Sequence, residues 1–198
     1  MPKNQNFPKW SIDDWNKKTL ITKDKTFFII KYLGQSGFGH LFITLTSENN
    51  LVILKIFNDN KNYSNEIDSI KHSKKSLEDY MLPYLDYFIY THHSLDYPIL
   101  VFKFYEGFIP LSQHLKDFIF FQDLNLAVKE ELHNILQKIH QLSLTHNDLN
   151  LDLILINPET GQIKLIDLGF CIHRWIHKIS EKEFKQQIEK DLIFIHHL

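Results

Sequence analysis

Cysteine is nearly missing from this chain: Cys171 is alone among 198 residues. An intramolecular disulfide is therefore excluded, and a reducing, cytoplasmic setting is expected. Alanine is almost absent as well, while Asn, Lys, Ile and Phe abound, a bias expected of an AT-rich viral or host-associated bacterial genome whose product acts in a host cell. No apolar run approaches membrane-spanning length, and the opening Met1-Pro-Lys-Asn-Gln-Asn lacks the apolar segment of a signal peptide, so no membrane association is expected. A formal charge of only −2 argues against a broad nucleic-acid-binding face. The local cluster Lys71-His-Ser-Lys-Lys75 reads as solvated helix surface. There is no internal repeat. Twelve histidines include the pairs His92-His93 and His196-His197, but neither pair comes with cysteines or carboxylates at metal-ligand spacing.

Against these absences, 43% hydrophobic and 14% aromatic content supplies ample core for one globular chain, built more plausibly as two small lobes than as two independent domains. Lys25-Thr-Phe-Phe-Ile-Ile-Lys-Tyr-Leu-Gly34 has strand character and runs into Gly34-Gln-Ser-Gly-Phe-Gly39; strand character resumes at Leu41-Phe-Ile-Thr-Leu45. The pattern predicts a glycine-rich hairpin. Gly34, Ser36, Gly37 and Gly39 would let backbone amides approach a triphosphate, and Phe38 at the tip would cover the phosphates. Leu51-Val-Ile-Leu-Lys-Ile-Phe57 is a buried-strand pattern interrupted by Lys55, which must either snorkel or meet an anion. On the following helix Glu66 is the expected partner, with Ile67 and Ile70 at core-facing spacing and Asp68 as the alternative.

Two aspartates carry the chemistry. Leu144-Thr-His-Asn-Asp-Leu-Asn-Leu-Asp-Leu-Ile-Leu-Ile156 and Ile163-Lys-Leu-Ile-Asp-Leu-Gly169 each set an aspartate, Asp148 and Asp167, beside a tight turn bordered by strand-forming aliphatics. That arrangement suits ATP-dependent phosphoryl transfer, with one carboxylate positioning a hydroxyl and the other a magnesium ion. Apolar spacing of Leu132, Ile135, Leu136 and Ile139 predicts an amphipathic helix over 126–142 that delivers the chain to this loop. Ser180-Glu-Lys-Glu183 predicts a capping box for a last helix whose stripe is Phe184, Ile188, Leu192 and Ile195.

In this order, the motifs resemble those of protein kinases, whose catalytic loop reads His-Arg-Asp-Leu-x-x-x-Asn and whose metal-binding turn reads Asp-Phe-Gly; the counterparts are His146-Asn147-Asp148 and Asp167-Leu168-Gly169. The resemblance implies an α+β, bilobal protein kinase-like fold with an antiparallel N-lobe sheet and a truncated, mainly helical C-lobe. Its expected organisation is an N-terminal extension over 1–24, an N-lobe over 25–102 and a C-lobe over 103–198. The extension, with Trp10, Trp15, Asp13 and Asp14, is expected to lie across the small lobe as a clasp. By resemblance, ATP and Mg2+ are the cofactors. Lys55 orients the phosphates and Glu66 orients Lys55, Asp148 positions the acceptor, and Asp167 binds the metal. Phe102 stands at the gatekeeper position, Lys103 and Tyr105 offer main-chain groups to adenine, and Val52 or Leu33 packs on the ring. Asp191 resembles the helical aspartate that braces the catalytic loop from below.

The departures from the pattern are equally specific. Leu153 replaces the asparagine that ligates a second magnesium, Asn147 replaces an arginine, and Ser36 replaces a glycine; the stretch between Gly169 and Ser180 is too short for an activation segment. The chain is thus similar to short kinase-like effectors of enteric bacteria, and a protein substrate or partner is expected to compensate for the missing docking helices. An atypical serine/threonine protein kinase is the first expectation. A pseudokinase that binds without turnover is the second, and a small-molecule kinase, for which there is little room, the third.

Overall fold

A computed structural model of the chain describes residues 15–36, 38–57, 60–77, 79–81, 83–116 and 122–198. These residues divide between two compact units, one of the residues up to Ser64 with Tyr84–Phe104, the other of Asn65–Pro83 with Tyr105–Leu198.

In the first unit, the aliphatic runs seen in the sequence become β1 (Thr19–Ile21), β2 (Thr26–Ser36), β3 (Gly39–Thr46), β4 (Leu51–Phe57), β5 (Tyr84–His92) and β6 (Leu95–Lys103). They form one antiparallel sheet in the order β1-β2-β3-β4-β6-β5. The period of two sorts the side chains: Phe27 and Ile29 point inward while Phe28 and Ile30 stay exposed, and Val52, Leu54 and Ile56 join the same core with Phe42, Ile99 and Val101. His93 and Ser94, both at positive φ (50° and 62°), make the two-residue turn that joins β5 to β6, a twist that suits a tight hairpin. At Gly39, where the ladder pairs with Phe57, an added Cβ would collide with the carbonyl oxygen of Ile56.

The two edges of this sheet are drawn together by side chains. Phe27 of β2 stacks on Phe88 of β5 with centroids 5.3 Å apart, and Trp15 lies edge-on to Tyr97 (5.1 Å) and Tyr90 (6.1 Å). Lys25 reaches Asp86 at 2.5 Å. The sheet therefore curls into a nearly closed barrel around its aromatic core.

Helix α1 (Asn60–Leu77) begins in the first unit and continues in the second, which also holds α2 (Leu111–Lys116), α3 (Gln122–Gln141) and α4 (Glu181–His197). The stripe anticipated for α3 is fully buried: Leu132, Ile135, Leu136 and Ile139 are all at 0% exposure. α4 opens on the anticipated capping box, with the Ser180 hydroxyl accepting from the Glu183 amide and the Glu183 carboxylate accepting from the Ser180 amide. Short β-branched runs give β7 (Ile109–Pro110), β8 (Leu144–Thr145), β9 (Ile154–Ile156), β10 (Ile163–Leu165) and β11 (Ile172–His173), paired as β10-β9-β7 and β11-β8.

The expected bilobal kinase-like fold with a mainly helical C-lobe is corrected by this architecture. Among the described residues eleven strands in three sheets stand against four helices, and the dominant element is the nearly closed, barrel-like antiparallel sheet. Two physical causes account for the difference. Aromatic packing across the sheet bends it toward closure, and the short runs beside the two aspartates satisfy their backbone groups in ladders. Of the expected N-terminal clasp, Trp10, Asp13 and Asp14 lie outside the described residues, whereas Trp15 is 3% exposed and packed in the barrel core.

Candidate functional site

The chain leaves α3 at Gln141, turns through Ser143 at φ 60°, forms β8, and enters the loop 146–150. One side chain fixes the start of that loop. The Asp191 carboxylate, 2% exposed on α4, accepts the backbone N–H of His146 (2.8 Å) at Oδ2 and that of Asn147 (2.8 Å) at Oδ1. His140 Nε2 on α3 lies 3.0 Å from Asp191 Oδ2, so the carboxylate spans both helices and the loop. These contacts offset the desolvation of the buried carboxylate and fix its orientation.

Asn147 takes φ 62°, a left-handed conformation that asparagine tolerates, and donates through Nδ2 to Thr145 Oγ1 at 2.7 Å. The chain turns sharply there and presents Asp148 half-buried. Asn150, two residues on, donates to the Asp148 carbonyl (3.2 Å) and accepts from the Asp152 amide (3.0 Å), closing the loop on itself. Leu153 is buried just before β9, and exposed Asp152 accepts from Ser112, so the register has the aliphatic position inward and Asp152 toward solvent.

His146 joins the loop to the second aspartate. Its Nε2 donates to the Ile166 carbonyl at 3.1 Å, and its Nδ1 has no hydrogen-bond partner among the described residues. Burial holds the imidazole below its ordinary pKa, against the opposing pull of the Asp191, Asp167 and Asp148 charges and the Ile166 hydrogen bond. Asp167 sits at φ 66° with Oδ1 accepting from the Gly169 amide at 3.1 Å, a self-closed aspartate turn. Thus the structure brings Asp148 and Asp167 onto one framework, with the His146 ring between their backbones.

Other anticipated residues fall as follows. In the second unit, Glu66 is 1% exposed on α1, and half-buried Tyr105 lies over Lys164 Nζ at 4.9 Å. In the first unit, Lys55 is 2% exposed on β4, with Nζ 4.9 Å over the Phe57 ring and its backbone opposite Leu41 and Leu100. Val52 and Lys103 are paired in register, Val52 buried and Lys103 exposed; Phe102 is half-buried and Leu33 exposed. Gly34 pairs with Leu41 and Ser36 with Gly39; Gly37 lies outside the described residues, and Phe38 is half-buried. Ser36 Oγ donates to its own hairpin at Gly39 O, 3.4 Å.

No protein-family model and no curated protein matches the chain. The functional reading rests on the loop and the turn themselves. Among the described residues no group of three or more His, Cys, Asp or Glu side chains gathers to hold a metal ion. Magnesium needs no such cage, since it uses one or two carboxylates and takes its other ligands from phosphate and water. The Asp167 carboxylate, a hard oxygen donor fixed by its turn, fits that demand. Sequence reasoning missed Asn150, His140 and His177; only Asn150, at a turn position where asparagine bonds its own backbone, carried a local signal.

Proposed function

We propose that the chain is an ATP-dependent phosphotransferase acting on serine or threonine hydroxyls of a protein substrate. Asp148 orients the acceptor hydroxyl and Asp167 holds magnesium, while Lys55 and Glu66 keep the roles that the resemblance of their motifs implies. The observation that supports this reading is the Asp191 carboxylate taking two successive loop amides at 2.8 Å, because it fixes the backbone that presents Asp148. Phosphoryl transfer depends mostly on positioning and charge neutralisation, so a braced carboxylate is what the chemistry asks of the protein. When bound, magnesium supplies charge neutralisation at the phosphates.

A second reading has its own observation. Leu153 is buried and Asn150 is committed to the loop backbone, so the position of a second metal ligand is apolar. Loss of one ligand costs on the order of a hundredfold in rate. A nucleotide-binding protein without turnover follows if that loss is complete.

Transfer of labelled γ-phosphate to a protein acceptor or to the chain itself decides between them. Asp148→Asn and Lys55→Met should each lower incorporation by about a hundredfold, and incorporation equal to wild type in both variants would defeat the proposal. A magnesium-dependent thermal shift with ATP and no transfer selects the second reading.

A further inference from the structure

Asn65 and His177, 112 residues apart in sequence, meet in the second unit beside the Asp167 turn. Asn65 Nδ2 donates to the carbonyls of Gly169 (2.6 Å) and Cys171 (3.3 Å), which fixes the orientation of its amide. Its Oδ1 therefore faces His177, whose Nε2 lies 3.0 Å away. The His177 Nδ1 in turn accepts from the His173 amide at 3.0 Å, so the neutral Nε2–H tautomer completes a directional chain from His173 through His177 and Asn65 to the two carbonyls. Asn65 also immediately precedes buried Glu66 on α1, and its own carbonyl accepts from Ser69 Oγ at 2.9 Å.

We infer that Asn65 is a positioning residue: with His177 it forms a latch that ties the segment after Asp167 to the helix carrying Glu66. The inference rests in part on the phosphotransfer reading, since a held turn matters most if Asp167 carries a metal. The structural content is independent of it. Without the amide, two carbonyls and one imidazole N–H lose a shared partner, and the segment 168–177 opens locally while the strands and helices stay folded. Asp at position 65 would be worse than Ala, because a carboxylate oxygen would face the Gly169 and Cys171 carbonyls.

Hydrogen–deuterium exchange on the full chain, read peptide by peptide, tests the latch without any need for activity. In Asn65→Asp, amides of 168–177 should exchange at least about tenfold faster than wild type, with peptides of β2–β4 unchanged. His177→Ala should show a smaller effect in the same segment, and His177→Gln, which keeps an N–H donor, should return close to wild type. Unchanged exchange at 168–177 in Asn65→Asp and Asn65→Ala overturns the latch, as does equal acceleration throughout the chain. In the phosphate-transfer assay, Asn65→Ala should raise the magnesium concentration needed for half-maximal rate while His177→Gln does not. If transfer proves independent of Asp148 and Asp167 but 168–177 still loosens, the latch stands and the phosphotransfer reading falls.

Discussion

Asp191 concentrates much of the energy of the loop in one side chain. It is buried, it accepts two backbone amides, and His140 approaches its Oδ2. Replacing it with alanine strands the buried His146 N–H and the half-buried Asn147 N–H, a loss of about 3 kcal/mol. Asparagine keeps one acceptor oxygen and should lose roughly half as much. Urea unfolding of the two variants checks both the size and the order; an Asp191→Ala midpoint equal to wild type would show that the bonds contribute nothing net. The residue was legible only through the resemblance, as the helical aspartate that braces a catalytic loop; nothing in its own helix pattern marked it as buried. Its second helix-borne contact, from His140 51 residues earlier, was not, because a lone histidine near a helix end carries no local sign of its partner.

Among the elements, α4 was the most legible, since Ser180 and Glu183 stand at capping-box spacing and the structure closes both bonds of the box. Ser180→Ala should cost about 1 kcal/mol, read as a drop in unfolding midpoint. Hydrogen bonds from the Ser180 hydroxyl and amide hold the Glu183 carboxyl below its ordinary value. The sign follows directly: the box contributes fully above the ordinary carboxylate range and fades as pH falls through the lowered pKa. Strands β2 to β4 were legible for a comparable reason, because alternation is a local signal. The runs that become β9 and β10 were legible as strand-forming, but their ladder partners were not.

At the scale of the molecule, each unit holds a histidine that burial keeps neutral. His40 lies inside the barrel wall with Nδ1 3.1 Å from Tyr32 Oη, and His146 lies beneath the loop; burial depresses both pKa values. A histidine with a lowered native pKa binds its proton first in the unfolded state. Stability is thus intact above the ordinary imidazole value of about 6.5 and is lost as pH falls below it toward the native values. Thermal stability should accordingly begin to fall as pH drops below about 6.5, and the slope should flatten in a His40→Gln, His146→Gln double variant. An equal slope in the double variant would assign the acid loss to other groups. The curl of the six-stranded sheet belongs to this scale too, and it explains why the fold class was misjudged. Trp15, Phe27, Tyr90 and Phe88 each look like ordinary core residues in their own strands, and nothing local announces that they meet.

That meeting has a mechanical meaning. Rings join the two ends of the sheet order, Trp15 just before β1 with Tyr90 of β5 and Phe27 of β2 with Phe88 of β5, and the Lys25–Asp86 pair adds to them. A wall fastened in this way has a zipper: rings can part and reseat with every rung of the ladders intact, so chaotropes or tension would find their first give along that line, and the strands themselves would yield only afterwards.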